Sequence, residues 1–222
     1  MHMKKTPSYR NICWDRKDNG DLWEQVYANL DARTDSSRAS VVKVKGHATS
    51  EDVALGLVSA ADKFKINLSV VKSVIKSNQE RLNLLTQRIH KILGSNIRNK
   101  KISFLGVTFK PNTDDMRDST SLKMIPYLCK KGAKVNYYDP SGEKKEFRKI
   151  KNCNYRNNIK SNCNGADLVI LLTEWDEFKS IDFKKIVKNS KFKLYDLRNL
   201  YSAEEMRKNK INYYSIGRPD TN

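Results

Sequence analysis

Apolar residues recur three or four positions apart between residues 68 and 93, which is the spacing of one buried helix face. Gly94 follows the last of them, where a C-cap residue is expected. The pattern therefore predicts a long helix over residues 66–94. Its apolar positions are Leu68, Val71, Val74, Ile75, Leu82, Leu85, Ile89, Ile92 and Leu93.

From residue 100 onward, short apolar runs alternate with helical patterns. Segments at 120–131, 183–187 and 203–208 are predicted as helices, and the stretch 141–162 gives only a short helix around 143–149. This alternation is typical of an α/β fold with a doubly wound, mostly parallel sheet, in which ligands bind at the carboxyl ends of the strands. The predicted strands are 101–107, 134–138, 166–172, 192–195 and 212–214.

The N-terminal part has a different character. Residues 1–20 are polar and are expected to be poorly ordered. Residues 21–63 predict a small α+β fragment, with a helix after Asp21, a strand at 40–44 and a turn at 45–48. The motifs Asp21-Leu22-Trp23 and Val44-Lys45-Gly46-His47-Ala48 resemble the C-terminal part of a ribonuclease H domain.

Composition narrows the class of protein. No run of about 18 apolar residues is present and the N-terminus is not of the secretory type, so we expect a cytoplasmic protein with no membrane partner. The net charge is +18; residues 1–65 hold 11 Lys/Arg and 9 Asp/Glu, which leaves +16 for residues 66–222. These lysines are scattered rather than arranged in a stripe, which disfavours nucleic acid as the partner but suits a diphosphate ligand.

The four cysteines are Cys13, Cys129, Cys153 and Cys163. They form no C-x-x-C pair and no metal-ligand spacing, so no metal is predicted. Cys129 falls in a helical apolar pattern and is expected in the core.

A charged loop at residues 108–118 follows the first predicted strand of the sheet. It carries Lys110, Arg117 and three aspartates, and a helix is expected to begin after it with Ser119, Thr120 or Ser121 as N-cap. A strand, a charged loop and a helix N-terminus together present cations and backbone N–H groups to a phosphate. A solvated loop without a ligand is the alternative.

The loop sequence Phe109-Lys110-Pro111-Asn112-Thr113-Asp114-Asp115-Met116-Arg117-Asp118 closely resembles the loop that opens the UDP-binding domain of the UDP-glucose/GDP-mannose dehydrogenases. The resemblance extends over about residues 66–219, with the UDP-binding domain at 100–219. It also rests on the segments 166–170, Thr173-Glu174-Trp175, Asp196-Leu197-Arg198-Asn199 and Tyr214-Ser215-Ile216-Gly217-Arg218.

This resemblance implies a function. The family uses NAD to oxidise the sugar C6 hydroxyl of a nucleotide-sugar, such as UDP-glucose, to a carboxylate. It implies that Phe109 and Lys110 contact the UDP-sugar, that Arg198 contacts the substrate and that Arg117 reaches NAD. Family members commonly have Gly where this chain has Leu197. The helix at 66–94 corresponds to the helix that forms much of the family's dimer interface, so we expect a homo-oligomer.

Two parts of such an enzyme are missing from the sequence. No G-x-G-x-x-G follows an N-terminal strand, and the segment Gly-Gly-Ser-Cys-Phe-Pro-Lys-Asp that carries the family's catalytic cysteine does not occur. We therefore predict no catalytic residue, and a fragment that binds UDP-sugar but is inactive alone. The ribonuclease H-like fragment also lacks its metal-binding carboxylates, so His47 is predicted to be a turn residue. The alternatives are a basic nucleic-acid-binding module or a non-functional fusion.

Overall fold

A computed structural model describes residues 50–218 and residue 220, with side chains from residue 53 onward. The chain divides into two compact units, residues 1–76 and 77–222. The predictions made for residues 1–49 fall outside the described residues and stay predictions. They include the disorder of residues 1–20, the strand and turn of the ribonuclease H-like fragment, His47 and Cys13.

The described part of the first unit is helical. Helix α1 covers Ser50–Lys63 and was not predicted from the sequence. Helix α2 begins at Ser69. Ala61 and Ile75 are buried, and the Lys72 ammonium lies 2.7 Å from the Asp62 carboxylate.

Helix α2 covers Ser69–Leu93, so the predicted long helix is present but begins three residues later than expected. Gly94 follows it with a φ of +95°, a left-handed conformation that suits glycine at a C-cap. Most of the predicted face is buried or half-buried, but Val74 is 53% exposed. The prediction for Val74 was wrong because Ile75, its neighbour, faces inward, and successive helix residues are about 100° apart.

The second unit contains six parallel strands in the order β3-β2-β1-β4-β5-β6. This confirms the predicted α/β class with a doubly wound parallel sheet. Strand β3 was not predicted from the sequence, and the predicted first strand is two residues longer than β1. The strands are β1 Lys101–Leu105, β2 Lys134–Tyr138, β3 Cys153–Tyr155, β4 Leu168–Leu171, β5 Lys193–Asp196 and β6 Asn212–Ser215.

Helices cover both faces of the sheet, because alternate strand residues point to opposite sides. Ile102, Phe104 and Ile170 pack in one core cluster with α2 and the helix Ser121–Lys130, whereas Val169 and Leu171 pack in another with the helices Phe183–Val187 and Ala203–Lys208. The predicted helix at 143–149 is only a 3₁₀ turn, Lys145–Phe147. The helices are α3 Ser121–Lys130, α4 Ile159–Cys163, α5 Phe183–Val187 and α6 Ala203–Lys208, with a second 3₁₀ turn at Asp176–Ser180.

Within the described residues, none of the helices combines the length and the apolar character needed to cross a membrane.

Candidate functional site

The strand order reverses between β1 and β4, which are neighbours at the centre of the sheet. At such a switch point the strand ends leave a crevice for a ligand. Gly106 brings the two strand ends together: it has a φ of +74°, and a Cβ added to it would lie 2.6 Å from Thr173 Cβ. The Thr173 hydroxyl then donates to the Thr108 carbonyl at 2.7 Å.

The turn directly after β1 is closed by Asp139, a fully buried residue that follows β2. Its Oδ2 accepts from the N–H groups of Val107 and Thr108, at 2.7 and 3.2 Å. Its Oδ1 accepts from the Ser141 N–H at 3.0 Å and lies 3.9 Å from Nζ of buried Lys144. An internal carboxylate therefore already binds these backbone donors.

Two backbone N–H groups at the start of α3 also donate to an acceptor within the protein. Thr120 occupies the N-cap position but makes no side-chain cap bond. Ser119 instead accepts from the Ser121 N–H through Oγ at 3.2 Å and from the Leu122 N–H through its carbonyl at 3.1 Å. Asp139 and Ser119 thus accept from the N–H groups of Val107, Thr108, Ser121 and Leu122, and these four groups are not free for a phosphate.

The two cationic side chains of this loop, Lys110 and Arg117, are exposed. Phe109 is 52% exposed, and its N–H donates to the Asp115 carbonyl at 2.9 Å. Lys110 is exposed. Arg117 donates to the Asp115 carboxylate from Nε at 3.0 Å and from a terminal nitrogen at 2.7 Å. These hydrogen bonds, with smaller contributions from the charges of Arg117 and Lys110, hold the pKa of Asp115 below its usual range.

Arg198 follows β5 and is fixed at its backbone. Its N–H donates to Oδ1 of Asp196 at 2.9 Å. Asp196 is fully buried, and its Oδ2 accepts from the Tyr213 hydroxyl at 2.9 Å. Leu197 packs in the core at 8% exposure, and its N–H donates to the Leu171 carbonyl at 2.9 Å. A leucine therefore fits where the family commonly has glycine.

Glu174, one residue beyond Thr173, accepts a hydrogen bond from the guanidinium of Arg198. Burial alone would raise the pKa of Glu174, but the hydrogen bond and charge of Arg198, with a bond to the backbone, keep it below its usual value. The segment after β4 thus touches the loop after β1 through Thr173 and the loop after β5 through Glu174.

All four predicted site residues lie at the carboxyl edge of the sheet. Phe109, Lys110 and Arg117 lie on the β1 loop and Arg198 on the β5 loop, which is two strands away. Sequence reasoning did not identify three carboxylates that organise this edge. The signal available was their position at the end of an apolar strand or within three residues of it; they are Asp139, Glu174 and Asp196.

The described cysteines offer no exposed nucleophile at this edge. Cys129, at 8% exposure, is in the core as predicted, and Cys163 is fully buried. Burial raises the pKa of Cys163 to about 12. Cys153 is half-buried and begins β3. Among the described residues, no three His, Cys, Asp or Glu side chains form a group that could hold a metal.

Residues 103–203 match the model of the UDP-glucose/GDP-mannose dehydrogenase family, UDP binding domain. The chain is 34% identical over 210 residues to a UDP-glucose 6-dehydrogenase of Rhizobium meliloti, a match that covers 90% of this chain and 48% of that enzyme. It is 34% identical over 155 residues to the Rickettsia bellii UDP-glucose 6-dehydrogenase, covering 68% of this chain and 36% of the relative.

Among solved structures, a UDP-glucose dehydrogenase from Pyrobaculum islandicum has the same fold, with a TM-score of 0.62 at 22% identity. This match covers 74% of the chain and 36% of that protein. The chain thus spans between about a third and a half of the relatives it matches.

The Rhizobium meliloti alignment takes in more of the chain than residues 66–219, since it covers 90% of it. It therefore reaches into the N-terminal segment for which the sequence predicts a ribonuclease H-like fragment. The ribonuclease H resemblance stays a prediction.

Proposed function

Since this chain belongs, through its UDP-binding domain, to the UDP-glucose/GDP-mannose dehydrogenase family, we propose that it binds the UDP part of a nucleotide-sugar such as UDP-glucose. The single observation that carries this proposal is the match of residues 103–203 to the family's UDP binding domain, a range that contains all four predicted site residues. The ligand lies at the carboxyl edge of the sheet, beside the crevice between β1 and β4.

Each proposed contact suits the chemistry of a nucleotide diphosphate. Lys110 is exposed and supplies a charge-assisted hydrogen bond to a phosphate oxygen. Arg198 supplies a planar set of donors that matches phosphate geometry. Phe109, at 52% exposure, offers an apolar surface to the nucleotide.

For NAD, we propose one contact from this domain. Arg117 is the residue proposed to reach NAD from this domain. The turn after β1 does not fit the diphosphate of a dinucleotide, because the Asp139 carboxylate accepts from the N–H groups of Val107 and Thr108. We therefore propose that the isolated chain does not oxidise UDP-glucose. The supporting sequence observation is the absence of both the G-x-G-x-x-G motif and the catalytic cysteine segment.

Calorimetric titration with UDP tests the binding proposal. Lys110→Ala is expected to weaken UDP binding about tenfold, the effect of one charge-assisted hydrogen bond. Lys191→Ala is the matched control, because Lys191 is also exposed but precedes β5 at the opposite edge of the sheet. It should leave binding unchanged. No binding at millimolar UDP would overturn the proposal, and NADH formation from UDP-glucose by the isolated chain would refute the proposed inactivity.

A further inference from the structure

The two carboxylate oxygens of Glu174 differ in their hydrogen bonds. Its Oε1 accepts from Nη2 of Arg198. Its Oε2 is buried and has no hydrogen-bond partner among the described residues. The two side chains are 31% and 38% exposed, so the contact lies at the surface while one carboxylate oxygen faces the interior.

Folding stability does not account for this arrangement. A partly exposed ion pair contributes little to stability, because solvent screens it and two side chains must be ordered. A buried acceptor without a partner lowers stability, since it has lost its hydrogen bonds to water. A polar group that stability does not explain, at the edge where the ligand is proposed to lie, indicates a functional role.

The geometry shows what the contact does to Arg198. The backbone of Arg198 is anchored through Asp196, which is fully buried, and its guanidinium is held by Glu174. Glu174 is itself next to Thr173, whose hydroxyl donates to the Thr108 carbonyl at 2.7 Å. Arg198 is therefore held at its backbone by Asp196 and at its guanidinium by Glu174.

A guanidinium has five N–H donors, and the Glu174 contact uses Nη2, so other nitrogens remain for a ligand. An arginine held in one orientation loses less conformational freedom when an anion binds. We infer that Glu174 is a positioning residue that orients Arg198 toward the diphosphate oxygens of the bound nucleotide. This inference rests on the proposed UDP binding.

Charge and orientation predict opposite results when Glu174 is replaced. Removing a carboxylate makes the site more positive, which by itself strengthens the binding of an anion. Losing the orientation of Arg198 weakens it. Glu174→Ala is expected to weaken UDP binding about tenfold, since a charge-assisted hydrogen bond to phosphate is worth roughly that factor. Glu174→Gln keeps an acceptor oxygen for Arg198 and is expected to bind between wild type and Glu174→Ala.

Three further measurements separate positioning from other roles. Pyrophosphate binding should fall with UDP binding in Glu174→Ala, whereas uridine binding should not change. In an Arg198→Ala background, Glu174→Ala should cause no further loss of UDP affinity, because only the favourable effect of removing a negative charge is left. Asp176→Ala is the matched control, because it removes an exposed carboxylate two residues away. Its UDP affinity should be unchanged or slightly higher.

The outcomes are distinguishable. Wild type that fails to bind UDP overturns the proposed function and this inference together. Wild type that binds UDP, with Glu174→Ala binding equally or more tightly, overturns this inference alone. A Glu174→Gln variant that melts at the wild-type temperature and yet binds UDP more weakly supports positioning rather than a structural role.

Discussion

Asp139, directly after β2, accepts a hydrogen bond from the backbone N–H of Val107 at 2.7 Å. In Rossmann folds, donors in the turn after the first strand bind the diphosphate of a dinucleotide. Here a carboxylate of the protein takes the place of the ligand anion. The N–H groups of Val107 and Thr108 are therefore occupied, and the nucleotide contact that we propose for this loop is made by the exposed side chain of Lys110.

Replacing this carboxylate should destabilise the second unit. Asp139→Asn must place its NH₂ group against either the Val107 and Thr108 N–H donors or the Ser141 N–H donor, and it leaves Lys144 without its counter-charge. The Lys144 Nζ is buried and lies 3.9 Å from the Asp139 carboxylate. We expect a loss of about 3 kcal/mol in the free energy of unfolding, the usual range for breaking a buried charged pair. Urea unfolding at pH 7 measures it.

The control for this change is Asp176→Asn, at a carboxylate that is 80% exposed. Its effect should stay within about 0.5 kcal/mol. If Asp139→Asn and Asp176→Asn had the same urea midpoint, Asp139 would not be the residue that stabilises the turn.

Gly106 offers a second test, this time of the close approach between β1 and β4. Gly106→Ala combines a φ of +74° with a Cβ at 2.6 Å from Thr173 Cβ and 2.9 Å from its carbonyl oxygen. Gly142→Ala is a matched control, since Gly142 has a φ of +93° and no atom within 4 Å of an added Cβ.

Gly142→Ala should cost about 1 kcal/mol in unfolding free energy, from backbone strain alone. Gly106→Ala should cost at least about 1 kcal/mol more, because the strand end must also move away from Thr173. Thermal and urea unfolding of both variants measure the difference. Equal losses of unfolding free energy would show that β1 and β4 can move apart at Gly106 without destabilising the fold.

The sequence predicts the helices and strands that are specified by residues close together along the chain. Long apolar runs such as 166–172 predict central strands, and the 3–4 spacing predicts α2. Strand β3 was missed because it is only three residues long and Asn154 separates Cys153 from Tyr155. Val74 was misassigned because apolar residues on adjacent helical faces look alike in one sequence.

The contacts that build the candidate site are not local, which is why the sequence does not reveal them. Asp139 lies 32 residues from Val107, and Glu174 lies 24 residues from Arg198. Each pair meets only after the sheet has formed, because neighbouring strands in a parallel sheet are joined by long crossovers. The cations could be named from the loop sequences, but not Glu174, which contacts the Arg198 guanidinium from another loop.

Helix α2 leads to a third prediction. Val70 and Val74 are exposed, at 75% and 53%. Exposed apolar residues on one helix favour association with another molecule, and we predict that a second copy of the chain associates through this helix. Val70→Asp with Val74→Asp should lower the average mass in light scattering toward the monomer. Ser73→Asp, at an exposed polar position, is the control. Wild type that stays monomeric at high concentration would contradict the prediction.

The Asp115–Arg117 pair leads to a prediction about pH. Arg117 hydrogen bonds hold the pKa of Asp115 below its usual value, so protonating Asp115 is less favourable in the folded chain than in the unfolded chain. The pair therefore stabilises the fold above the ordinary aspartate pKa of about 3.9, and this stabilisation is lost as pH falls through the lower folded value. Because the Arg117 side chain is 56% exposed, solvent screening limits the effect to at most about 1 kcal/mol.

Asp115→Asn is the variant that isolates this effect, since it keeps the shape of the side chain and removes its charge. Wild type should be more stable than Asp115→Asn at pH 7. The difference in unfolding free energy should shrink as the pH falls through the lowered pKa of Asp115, because both chains then carry a neutral side chain. Urea unfolding at several pH values measures it. In an Arg117→Ala background the difference should be small at every pH, because the pKa of Asp115 is lowered mainly through Arg117. A difference that stays constant from neutral to acid pH would mean that packing, and not the ion pair, explains the effect.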